Sequence, residues 1–113
     1  MAKIDMTPPA AVAREAKRGL ELRERFHRGG TEVGEHRAEQ LAAREELTRD
    51  DVVAMASYFA RHEVDKRVDN WGDEENPSAG YVAWLLWGGE PGREWAQGVR
   101  ERIRAAEDGQ AKG

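Results

Sequence analysis

The chain has 113 residues, 35% of them charged, and a net charge of −4. That length makes a single domain. The absence of Cys excludes disulfides, thiolate metal sites and cysteine nucleophiles, and no apolar run approaches the roughly 18 residues of a membrane span.

Ala, Glu, Arg and Leu dominate, and the alternating β-branched runs of strand proteins are missing, so an all-α fold is expected. The expected form is a compact bundle of about five helices over residues 8–106, with flexible tails at 1–7 and 107–113. Met1–Thr7 lacks a basic start followed by an apolar run, so no secretory leader is expected. Charge is uneven: the first 31 residues are net basic, whereas 32–75 are strongly acidic. A surface dedicated to nucleic acid would be basic throughout; this division suits oriented contacts between copies or with a partner.

Pro8 and Pro9 fit the first turn of helix one, with Thr7 as its N-cap and an end near Arg28. Val12, Ala16, Leu20, Arg23 and Phe26 form a narrow inner face, with Leu22 to one side. Arg14, Lys17, Arg18, Arg25 and Arg28 form a basic one, interrupted by Glu15, Glu21 and Glu24. Gly29 and Gly30 stop the helix, after cationic residues suited to its C-terminal dipole. Thr31 can cap a second helix over Glu32–Glu45, weakened early by Gly34. Thr48 and Asp51 have the spacing of a capping box for a third helix ending between Val64 and Arg67. After a polar loop at 69–76, Ser78 caps a short helix over Ala79–Trp87. That helix is apolar almost all round, so it belongs at the centre of the bundle. Gly88 and Gly89 end it. Pro91 suits the first turn of a last helix reaching Ala106, with Trp95, Val99 and Ile103 on one side.

Catalytic constellations are missing from this reading. The glycine pairs are followed by no Gly-Lys-Ser/Thr and preceded by no strand, which excludes a phosphate loop or dinucleotide fingerprint. No serine sits in a nucleophile elbow. His62 lies near Glu63 and Asp65, but its i, i+4 neighbour is Lys66, so a helix-end histidine is the better reading than a metal ligand. No enzyme, cofactor or metal is expected. Trp84, Leu85 and Trp95 read as core. Trp71, Tyr81 and Trp87 are the candidates for half-exposed anchors of a partner surface, together with the basic face of helix one. Glu63, Asp65 and Asp69 stand near Arg61, Lys66 and Arg67 and read first as a salt-bridged helix end; the sharper alternative is that Arg61, Glu63 and Asp65 make buried or interfacial polar contacts against the aromatic segment.

Three pieces of the chain stand in a recurring order. Ala16–Arg23 leads into Gly29-Gly30-Thr31-Glu32-Val33-Gly34. Tyr58-Phe-Ala-Arg61-His62-Glu63-Val-Asp65-Lys66 follows. Pro77-Ser78-Ala-Gly80 then runs through Trp84-Leu-Leu-Trp87-Gly88-Gly89 to Trp95. Together, over about residues 8–98, they resemble a small helical domain of tailed-bacteriophage and prophage proteins. Glu90-Pro91 departs mildly, standing where an acidic residue and then Ala are common. The resemblance implies a phage protein, in the virion or host cytoplasm, that docks on capsid, connector or itself. Nucleic-acid association through the basic first helix is the second expectation.

Overall fold

The computed structural model describes residues 4–112. Five helices form: α1 (Ala10–Phe26), α2 (Glu32–Ala42), α3 (Arg49–His62), α4 (Ala79–Leu86) and α5 (Gly89–Lys112). A 3₁₀ turn over Glu63–Arg67 prolongs α3, and no strand occurs among the described residues, so the fold is an all-α bundle.

Each helix start follows from local chemistry. Thr31 Oγ1 accepts the Gly34 N–H at 3.2 Å, and Ser78 Oγ accepts that of Tyr81 at 3.0 Å. Thr48 and Asp51 close a reciprocal capping box, at 3.1 and 3.0 Å. The start of α1 differs from expectation. Pro9 is the flanking residue and Thr7 caps nothing; the Thr7 N–H instead bonds Asp5 Oδ1 at 2.9 Å. Pro8 precedes a proline, which holds it out of the helical region and delays the start. α1 ends at left-handed His27 (φ 52°), followed by Gly29 and Gly30 at φ 90° and 75°. α2 stops at Ala42, three residues short of the expected Glu45, because Arg44 turns left-handed (φ 53°) and sends Nε to the Pro8 carbonyl at 2.8 Å.

α4 is the hub. Tyr81, Val82, Trp84, Leu85 and Leu86 are all buried, and this short helix touches α1, α2, α3, α5 and the 3₁₀ turn. α1 lies across it along a face that runs through Val12, Ala16, Gly19 and Leu22. Leu20 and Phe26, expected on that face, are only half-buried. The rotation has a steric cause: a Cβ on Gly19 would stand 2.7 Å from the Leu86 backbone nitrogen, so glycine sets the closest approach. α3 packs mainly on α5, through Val52, Met55, Ala56 and Phe59. Phe59 meets Trp84 edge to face, with centroids 4.7 Å apart, a pairing worth about 0.5–1.5 kcal/mol beyond its buried area.

The two tails differ from expectation within the described residues. Ile4 and Met6 pack against the core, Pro8 is fully buried, and the Met6 carbonyl accepts the Leu47 N–H at 2.9 Å. α5 continues past Ala106 to Lys112, and Arg49 pairs with Glu107 on that extension. Residues 1–3 and 113, parts of the expected tails, lie outside the described residues.

Candidate docking surface

The basic face of α1 divides into two sets of different chemistry. Arg14 and Lys17 are exposed, and neither forms an ion pair among the described residues. Arg25 is also exposed and lies over the Phe26 ring, 5.0 Å from its centroid. Exposed Glu21 and Glu24 share this side of the helix.

Arg18 and Arg28 are committed within the fold. Arg18 bonds Glu15 at 2.8 and 3.0 Å, Glu74 at 2.6 Å and the Tyr81 hydroxyl at 3.2 Å. Burial works against its charge, but Glu74, Glu15 and Tyr81 outweigh that and hold its pKa above the ordinary arginine value. Arg28 donates to Asn76 Oδ1 at 3.1 Å and to the Pro77 carbonyl at 2.9 Å. The two arginines thus tie the loop between the 3₁₀ turn and α4 onto α1.

That loop carries Trp71, half-buried over two rings of α4. Its ring meets Tyr81 at 5.2 Å and 74°, and Trp84 at 5.6 Å and 78°. Tyr81, expected as a half-exposed anchor, is 8% exposed. It is closed in by Trp71 from above and by Arg18 at its hydroxyl, so it offers a partner almost no surface. Trp87 is half-buried, stacked on Tyr58 at 4.5 Å and 9°, with the Arg37 guanidinium 5.5 Å from its ring. Gly34 faces the Trp87 indole, where a Cβ would stand 3.3 Å from Nε1. Trp95, expected in the core, is half-buried against it.

The motif residues serve the same aromatic centre. His62 stacks on Tyr58 at 4.5 Å, and its Nδ1 pairs with Asp65 Oδ2 at 3.0 Å. Asp65 packs on α4 where Gly80 leaves room, since a Cβ there would lie 3.0 Å from the Asp65 Cβ. Lys66 places its ammonium 4.5 Å from the Trp84 centroid and pairs with Glu63 at 3.1 Å and with Glu90. Glu90 also accepts from Arg93 at 3.0 Å. Burial opposes its ionisation, but hydrogen bonds from Lys66 and Arg93 prevail and hold its pKa below the ordinary carboxylate value. Arg61 departs from expectation: it is exposed and joins no ion pair among the described residues. Tyr58 Oη and Trp84 Nε1 are buried without a hydrogen-bond partner. Each such group costs about 1–3 kcal/mol.

Several contributors escaped the sequence reading. Arg37 is nearly buried and pairs with Asp51 at 2.9 Å. Glu15 and Glu90 had a local signal, an arginine at i+3 in each case, whereas Glu74 reaches Arg18 from 56 residues away and had none.

Hollows open on the surface, two of them beside the residues described above. The larger, about 640 Å³, lies between the end of α1 and α2, where Arg23, His27 and Arg28 face Glu24, Glu35 and Glu39. Arg23 is committed to Glu35 and to the Gly29 carbonyl there. The smaller, about 220 Å³, is floored by Trp71, Tyr81, Trp84, Leu85 and Pro91 and flanked by Glu15 and Glu90. No group of three or more His, Asp or Glu among the described residues is arranged to hold a metal ion, and no helix is long and apolar enough to cross a membrane. Comparison with protein-family models, curated proteins and solved structures returned no match to this chain.

Proposed function

We propose that this protein is a bacteriophage head-associated structural accessory that docks through α1 onto an acidic surface of the capsid or connector. The observation that carries the reading is the pair Arg14 and Lys17, exposed and without an ion pair among the described residues, on a helix otherwise locked into the bundle. Cations fixed on a rigid helix lose little entropy on meeting a carboxylate-rich surface and steer the encounter. The phage context rests on the resemblance of the Gly29–Gly34, Arg61–Lys66 and Pro77–Trp95 segments. A second reading, phosphate contact by Arg14, Lys17 and Arg25, draws on the same exposed cations. The exposed Glu21 and Glu24 beside them weigh against it.

The test is made on purified phage particles from the genome that encodes the chain. Wild type is expected on the particles, and Arg14→Glu with Lys17→Glu is expected to lower its occupancy at least tenfold without loss of helicity. Particles that contain no copies overturn the reading. Duplex DNA binding with a steep salt slope, lost on neutralising Arg14, Lys17 and Arg25, replaces it with the second.

A further inference from the structure

We propose that the 69–76 loop is an internal occupant of the basic face of α1, and that a carboxylate-rich segment of a partner protein displaces it. Arg14, Lys17, Arg18 and Arg25 fall within about 100° of arc on α1, with Glu21 the one acid among them. The loop carries four carboxylates, Asp69, Asp73, Glu74 and Glu75, and no cation. It meets that face from 56 residues away, where Arg18 Nη2 donates to Glu74 Oε2 at 2.6 Å. Arg28, just past the helix end, donates to Asn76 Oδ1 and the Pro77 carbonyl at 3.1 and 2.9 Å. The loop thus makes on α1 the contact that an acidic partner strand would make, carboxylate to guanidinium.

Exchange of one acid for another costs little here. The Arg18 and Glu74 side chains are 37% and 51% exposed, and an ion pair so open to water contributes little to folding. Arg18 keeps Nη1 on Glu15, so it stays aimed when Glu74 leaves. Arg28 is held by two neutral oxygens and joins no ion pair among the described residues. A carboxylate offers that guanidinium a bond about twice as strong as a neutral acceptor does. The loop also has a place to bend. Trp71, its one apolar side chain, is half-buried against Tyr81 and Trp84. Gly72 beside it is at φ 86°, with no described atom within 4 Å of where a Cβ would stand. Beyond it, Asp73 Oδ1 accepts the N–H groups of Glu75 and Asn76, so residues 73–76 move as one turn. Lifting that turn breaks the exposed bond from Asn70 to the Asn76 carbonyl and leaves Trp71 seated. Arg18 and Arg28 then join Arg14, Lys17 and Arg25 in meeting the partner, and a segment too weakly acidic to replace Glu74 reaches only the outer cations.

The inference rests on the docking reading for its choice of an acidic protein as the displacing partner. The experiment titrates the full chain at low salt with a fluorescein-labelled oligo-glutamate peptide, with binding read by anisotropy and the loop by amide exchange. Wild type is expected to bind, and saturating peptide to speed exchange over residues 73–76 at least threefold. Glu74→Gln should bind the peptide at least threefold tighter than Glu75→Gln, which removes the same charge from a side chain that does not touch Arg18, with helicity retained in both. Exchange over 73–76 that is unchanged or slower in the saturated complex, equal affinity of the two variants, or no binding by wild type overturns the inference. Particle association is followed in parallel. Particle copies without an exchange response keep the docking reading and remove the displacement; an exchange response without particle copies does the reverse.

Discussion

A single hydrogen atom in place of a methyl group at position 19 decides how closely α1 and α4 lie. An alanine Cβ there would meet the Leu86 nitrogen at 2.7 Å and the Leu85 carbonyl carbon at 2.9 Å, both backbone atoms that cannot swing aside. Gly98, also inside a helix, has only the tip of Arg102 within 4 Å, at 3.9 Å. Opposite outcomes are therefore expected in urea unfolding. Gly19→Ala should lower stability by about 1–3 kcal/mol through overpacking. Gly98→Ala should raise it by about 0.5–1 kcal/mol by relieving the entropic cost of glycine in a helix. Equal shifts in the two variants would show that helix propensity, not the α1–α4 approach, governs both sites. In the sequence these glycines look alike, because the atom that separates them comes from a helix more than sixty residues further on.

Elements were legible where their chemistry is local. Thr31, Thr48 and Ser78 each cap the helix that their spacing announces, and positive-φ glycines follow the ends of α1 and α4. Boundaries slipped where a remote partner decides. Arg44 leaves α2 to reach Pro8, and Glu107 extends α5 alongside Arg49. The 69–76 loop read as merely polar, yet it is held by Arg18 on Glu74, by Arg28 on Asn76 and Pro77, and by Asn70 on the Asn76 carbonyl. Removing the Arg28 anchor should release it. Arg28→Ala is expected to speed amide exchange over residues 70–77 several-fold, with α3 and α5 unchanged. Unaltered exchange in the loop would mean that Trp71 alone holds it in place.

At the scale of the molecule, ion pairs link elements that the core brings together, and their pH dependence has a definite sign. Glu90 and Asp51 both have pKa values depressed below their ordinary 4.5 and 3.8. For each, burial opposes ionisation and is overcome, by Lys66 and Arg93 for Glu90 and by Thr48 and Arg37 for Asp51. A depressed carboxylate contributes stability that is complete above its unfolded value and is lost as pH falls through the folded one. Lys66, raised above 10.5, contributes stability that is complete below that value and is lost as pH rises through the raised one. Glu90→Gln is therefore expected to flatten the acid limb of the thermal midpoint below about pH 4.5 and to weaken the alkaline limb above pH 10.5. An acid limb as steep as that of wild type would show that Glu90 takes no part. Such pairings join residues far apart in the chain, which is why composition announced a charged surface without saying which charges meet.

The central position of α4 also governs the order in which the protein can take shape during synthesis. The chain emerges N-terminus first, so α1 and α2 can pair with each other before α4, which covers the rest of their apolar faces, appears. Val12, Ala16 and Leu22 wait for Val82, Leu85 and Leu86, and α3 waits for α5. No early fragment contains a closed core. The keystone of the bundle thus follows, in element order, three of the four helices that it joins.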